Sequence, residues 1–135
     1  MFGAGALAGT VELDSAGPDD LAGLGGRISY GSRQSVDAVL TGSIQASGGF
    51  ASLSAAYARS DGFAPIIAAQ RGPADRPAPY EQASLAGRAV VPAGAQTELQ
   101  ANVLAFTDRR KRGTAFTRNG SDAADSSVRL IGRGA

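Results

Sequence analysis

The chain has 135 residues, of which 43% are hydrophobic and only 6% aromatic, with 19 glycines and no tryptophan, so side chains large enough to fill a compact core are scarce. Cysteine and histidine are both absent, which excludes disulfides, zinc sites built from those residues, and catalysis by a cysteine nucleophile or a histidine base. The net charge of +1 provides no global attraction to nucleic acid or anionic lipid. We therefore expect no enzyme, no metal site and no cofactor.

The N-terminal part is rich in glycine. In residues 1–14, a glycine-rich turn leads into a predicted short strand at residues 9–14. Residues 15–23 contain the sequence GPDD and are predicted to form a turn or linker. Gly3, Gly5 and Gly9 precede a strand, whereas a nucleotide-binding glycine motif follows a strand and opens a helix. A phosphate-binding loop is therefore not expected.

Apolar and polar residues alternate through the rest of the chain. Side chains of a strand point to its two faces in turn, and residues 35–47 alternate in this way with Val39 as the one exception. The same pattern predicts strands at residues 24–31, 35–47, 50–59, 82–91 and 96–108, with a weaker sixth at 125–133. The sequence predicts an all-β fold of antiparallel, up-and-down strands.

Residues 38–58 carry no charge, and this stretch of 21 residues is long enough for a membrane helix. Polar residues at alternate positions, with Gly48 and Gly49 in the middle, favour a β-hairpin instead. The two glycines are predicted to form its two-residue turn, because glycine accepts the positive φ that tight hairpins need.

The connections between strands alternate in length. Those at 48–49 and 92–94 are tight, those at 60–81 and 109–124 are long, and the first, at 32–34, is intermediate. Outer-membrane barrels carry short turns at one rim and long loops at the other. The pattern favours part of a transmembrane β-barrel, about six strands of a larger one, with the first, third and fifth strands running outward. The alternative is a soluble antiparallel sheet whose apolar face packs on a core.

The alternation also predicts which residues face lipid. Tyr30 and Tyr57 fall near the outward ends of their strands, where aromatic side chains belong at a membrane interface. Polar residues on the other face, such as Glu98, Gln100 and Asn102, are predicted to line the lumen. The predicted lipid-facing residues are Ile28, Tyr30, Val36, Leu40, Ile44, Leu53, Tyr57, Leu85, Leu99 and Val103.

Residues 3–13, GAGALAGTVEL, resemble the segment that closes the plug domain of TonB-dependent outer-membrane receptors. Residues 28–32, 57–63 and 106–114 resemble parts of the first barrel strands of the same family. Ala8 and Glu12 depart from the glycine and asparagine that are more usual there. The resemblance implies that residues 1–14 end a plug domain, 15–23 form a linker and 24–135 supply the N-terminal strands of the barrel.

The same resemblance implies a location and partners. The protein would lie in the bacterial outer membrane, contact its lipid and lipopolysaccharide, and import a small-molecule or metal-chelate ligand such as a ferric siderophore or cobalamin. Contact with the TonB complex would be made by an N-terminal part absent from this chain. The alternatives are another outer-membrane barrel, such as a porin or an autotransporter translocator, and a soluble or surface-exposed β-rich binding module.

Two stretches suggest binding residues. Arg71, Arg76 and Tyr80 lie in the longest predicted loop, from which a receptor would draw ligand contacts, and Asp75 lies beside them. The only dense run of charge comprises Arg109, Arg110, Lys111 and Arg112, which we predict to lie in the second long loop. Because net charge is near zero and aromatics are few, nucleic acid is not expected. The run is either a solvated loop or a contact for lipopolysaccharide phosphates or an anionic ligand.

Overall fold

The computed structural model of this protein describes residues 23–132, and all six of their strands form one antiparallel sheet in chain order. This confirms the predicted all-β, up-and-down fold; the predicted plug strand and most of the linker lie outside the described residues. A short 3₁₀ helix, Ala68–Gln70, interrupts the loop between β3 and β4. The strands are β1 Gly23–Gly31, β2 Ser35–Ala46, β3 Gly49–Ser60, β4 Tyr80–Gly94, β5 Thr97–Lys111 and β6 Arg118–Gly132.

The register assigns each side chain to one of two faces, because directly opposed residues of antiparallel strands share a face. The row that runs from Leu24 through Gly42, Leu53 and Gly87 to Val103 crosses five strands. All ten predicted lipid-facing residues belong to the face that contains this row, which we call the apolar face. The predicted grouping of these residues is confirmed.

Nothing within the described residues covers the apolar face. Ile28 is 78% exposed and Ile44 is 69% exposed, and no side chain of residues 23–132 is completely buried. Within residues 23–132, Ala58 is the only hydrophobic residue that is buried.

Large and small side chains alternate across the apolar face. Gly42 and Gly87 separate Leu24, Leu53 and Val103 in one row. A Cβ atom on Gly87 would lie only 2.9 Å from Val103 Cγ1, and one on Gly42 would lie 3.4 Å from Leu24 Cδ1. The larger side chains thus occupy the space that the glycines leave open, and the face packs laterally within itself.

The β2–β3 hairpin turns one residue earlier than predicted. Ser47 and Gly48 form the turn, with φ of 51° and 76°, and Gly49 already pairs with Ala46 as the first residue of β3. Two consecutive positive φ values are typical of a type I′ turn, which matches the twist of its strands. Gly49 is needed for a different reason: a Cβ atom there would collide with the carbonyl oxygen of Val90 in β4.

This turn gives a first prediction. Ser47→Asn should stabilise the sheet by about 0.5 kcal/mol, since asparagine tolerates positive φ better than serine does. The matched control is Ala95→Asn, because the turn at 95–96 has no positive φ. The midpoint of urea unfolding measures both; equal midpoint shifts for the two variants would contradict this account of the Ser47 turn.

The last three strands are longer than the sequence suggests. β4 continues past Pro92, where the register against β5 shifts, so the turn lies at 95–96 and not at 92–94. Proline lacks an N–H donor and is accommodated in strands at such irregularities. The second long loop is only residues 112–117, and the prediction of a loop over 109–124 is wrong. Arg109 and Asp122, which the sequence places in that loop, instead form an ion pair of 2.6 Å between β5 and β6.

Candidate functional site

Charge is distributed differently on the two faces of the sheet. On the apolar face, all charged residues of the six strands lie near the rim that carries the loops 61–79 and 112–117, which we call the long-loop rim. On the opposite, polar face, charges occur at several levels between the two ends of the sheet, on every strand except β3: Arg27, Asp37, Arg88, Glu98, Asp108, Arg110, Asp125 and Arg129. The apolar face therefore has an uncharged band bounded by charge at one end.

A row of alternating charges marks the upper edge of this band. Arg59, Glu81 and Arg109 are neighbours on β3, β4 and β5. The Tyr57 hydroxyl donates to Glu81 Oε1 at 3.1 Å, and Arg109 Nη2 donates to Asp122 Oδ2 at 2.6 Å. Opposite charges on adjacent strands stabilise the register where the apolar side chains end.

A second group of polar contacts lies on the polar face beyond the level of the band. Arg110 Nε donates to both carboxylate oxygens of Asp108, at 2.7 and 2.8 Å, and its guanidinium lies 5.8 Å from the ring centre of Tyr80. The hydrogen bond from Arg110 lowers the pKa of Asp108 below its ordinary value. Asp108 is therefore held as a carboxylate that fixes the position of the Arg110 side chain.

The two loops of the long-loop rim are joined by main-chain hydrogen bonds. The N–H of Arg76 donates to the carbonyl of Gly113, and the N–H of Ala115 donates to that of Ala74, each at 2.9 Å. Between these two bonds, Asp75 and Thr114 form an isolated β-bridge. We call loops 61–79 and 112–117 together the loop pair.

The predicted ligand-binding residues are not brought together. Arg71 Nε donates to the carbonyl of Ile66 at 2.8 Å, and Arg76 Nη1 donates to those of Pro73 and Asp75 at 2.9 and 2.8 Å, so both guanidinium groups support their own loop. Tyr80 is the first residue of β4, so its placement in the loop is wrong. A cleft of about 440 Å³ at the rim is lined by Tyr80 but not by Arg71 or Arg76.

The predicted interface aromatics share one face. Tyr30 and Tyr57 both lie on the apolar face near the long-loop rim, with Tyr30 75% exposed. The predicted lumenal residues Glu98, Gln100 and Asn102 share the polar face, together with Arg88, whose guanidinium lies 5.4 Å from the ring centre of Phe50. Their functional roles remain predictions.

The basic run is not a continuous loop patch, which corrects the sequence-based placement. Arg109, Arg110 and Lys111 belong to β5, and only Arg112 lies in the loop. Strand alternation sends Arg109 and Lys111 to the apolar face and Arg110 to the polar face. The acidic residue Asp122 is the sequence feature that could have indicated a strand here, because the register of β6 brings it near Arg109.

No group of three histidine, cysteine, aspartate or glutamate side chains within residues 23–132 is arranged to hold a metal ion. Over the same range, no helix has the length and apolarity required to cross a membrane.

Taken together, the described residues define an all-β protein whose six-stranded meander has one apolar and one polar face. Neither a protein-family model, nor a curated protein, nor a solved structure matches the chain.

Proposed function

We propose that this sheet is a segment of the wall of a transmembrane β-barrel in the bacterial outer membrane, with its apolar face toward lipid and its polar face toward the lumen. The observation that carries the proposal is the distribution of charge. A lipid-facing surface must be free of charge between the two interfaces, whereas a lumenal surface needs no such band. The described strands have this asymmetry.

The height of the uncharged band supports the proposal. The apolar face is uncharged from Ala83 to Val91 in β4 and from Leu99 to Thr107 in β5, nine residues in each strand. In β6, where Asp122 lies opposite Thr107, it is uncharged from Ala124 to Gly132, again nine residues. Nine residues at about 3.4 Å each span roughly 30 Å along the strand, and a tilt of about 40° reduces this to roughly 23 Å. The apolar band of outer-membrane barrels is about 25 Å tall.

We further propose that the barrel is that of a TonB-dependent receptor, which would bind a scarce nutrient at its outer surface and import it. The resemblance of residues 3–13 to the closing segment of a plug supports this, as do the two kinds of rim. A porin or an autotransporter translocator has the same kind of wall. The gene sequence on either side of this segment tests the choice: a plug and a TonB box upstream are expected, and a long repetitive passenger there would contradict it.

The orientation of the faces is tested with single cysteines, since the chain has none of its own. Leu40→Cys and Val103→Cys should place an attached environment-sensitive dye in lipid. The matched controls, Thr41→Cys and Asn102→Cys, place it one residue away on the polar face. We expect acyl-chain spin labels in phosphatidylcholine vesicles to quench the first pair strongly and the second pair weakly.

Equal quenching of both pairs would contradict the proposed orientation. A chain that stays in solution as a folded sheet, with no quenching at any of the four positions, would favour the soluble binding module instead.

A further inference from the structure

Two cations face each other at the upper corner of the apolar face. Lys111 and Arg118 are directly opposed in the register of β5 and β6, and both are exposed. Like charges in this position destabilise a strand pair. None of the ion pairs formed among residues 23–132 involves either side chain. The repulsion would be relieved by an anion that lies between the two cations.

Nearby carboxylates do not neutralise this corner. Asp122 is bound by Arg109 at 2.6 Å, and Glu81 lies between Arg59 and Arg109 in the row of alternating charges. The cleft at the rim contains more cations than carboxylates, its charged lining residues being Arg59, Asp61, Glu81, Arg109, Arg110, Lys111 and Arg118. An anion entering from solvent would therefore meet a net positive charge.

The position of the corner identifies the anion. On a single face of β5, Lys111 is followed downward by Arg109 and Thr107 and then by Val103 and Leu99. An amphiphile with an anionic head and apolar chains has the same order of groups. We propose that Lys111 and Arg118 bind the phosphate of a lipid headgroup whose acyl chains lie against the apolar face. This inference rests on the proposed lipid-facing orientation of that face.

The test compares two double variants that remove the same charge. The corner variant, Lys111→Gln with Arg118→Gln, removes the two cations at the corner of the apolar face. The control, Arg27→Gln with Arg129→Gln, removes two cations of the polar face. Each 135-residue chain is diluted from urea into phosphatidylcholine vesicles, or into vesicles with part of that lipid replaced by phosphatidic acid. The bound fraction is measured by flotation. We expect the wild-type chain and the control to prefer phosphatidic acid, and the corner variant to lose this preference by on the order of tenfold.

The outcomes separate this inference from the proposal on which it rests. If the wild-type chain enters neither kind of vesicle, the lipid-facing orientation and the headgroup site are both overturned. If all chains enter phosphatidylcholine but the corner variant keeps its preference, or the control loses as much, only the headgroup site is overturned. Inorganic phosphate that abolishes the preference at constant ionic strength would indicate a site for free phosphate, which also overturns it.

Discussion

If the apolar face contacts lipid, as we propose, Leu53→Arg should reduce the stability of the sheet in a bilayer by about 2–4 kcal/mol, the cost of an arginine facing lipid near the middle of the membrane. Leu53 lies in the centre of the uncharged band, between Gly42 and Gly87, and is 51% exposed on the apolar face. The guanidinium of the introduced arginine would have no charged partner within that band. The free energy of unfolding from urea titration in phosphatidylcholine vesicles measures the effect.

Ser54→Arg is the matched control. Ser54 is the next residue of β3, and its side chain lies on the polar face beside Thr41 and Ala86. We expect a change of less than about 1 kcal/mol there, since the lumenal position that we propose for this face would be hydrated. Equal losses from the two arginines would contradict the assignment of faces and would remove the main support for a membrane barrel.

Gly62→Ala should open the base of the loop 61–79, which is the longer member of the loop pair. Gly62 has a φ of 71°, and a Cβ atom at this position would overlap the carbonyl group of Ala78 across the base of the loop. The loop would have to open there, at the expense of the 3.0 Å hydrogen bond from the N–H of Ala78 to the carbonyl of Phe63. We expect the free energy of unfolding to fall by more than about 1 kcal/mol. Trypsin should cleave after Arg71 several-fold faster than in the wild-type chain.

Gly48→Ala separates the collision from the cost of the backbone conformation. Gly48 has a similar φ of 76°, but its added Cβ would meet only Pro92 Cγ at 3.7 Å. In this control the free energy of unfolding should fall by about 1 kcal/mol, because alanine is disfavoured in the left-handed conformation. The rate of trypsin cleavage after Arg71 should not change. Faster cleavage in both variants would show that general destabilisation, and not the loop base, governs access to Arg71.

Alternation alone predicted the faces correctly, because a strand with one apolar side has only one register that keeps that side together. It failed where both faces become polar. From Asp108 to Lys111 the apolar–polar difference disappears, so the sequence resembles a loop although the backbone continues as a strand. Strand pairing there is maintained by cross-strand charge contacts such as that of Arg109 with Asp122, which no local pattern reveals.

The binding residues were harder to predict for a related reason. The sequence shows Arg71 and Arg76 only as cations in a long loop, because the backbone carbonyls within reach of each guanidinium can be identified only from the folded loop. The opposed pair of Lys111 and Arg118 depends on the register between β5 and β6, which the loop length alone does not determine. The sequence therefore identifies the charged segments, but it does not show which charged side chains lie next to each other in the folded sheet.

The hydrogen bonds that join the loop pair would have an entropic consequence if these loops bind a ligand, as the proposed receptor function requires. Residues 61–79 and 112–117 have given up part of their conformational freedom before any ligand arrives, because Asp75 and Thr114 are already bridged. A ligand that contacts one loop would therefore encounter both loops as a preorganised surface, and less of its binding free energy would be spent on ordering them.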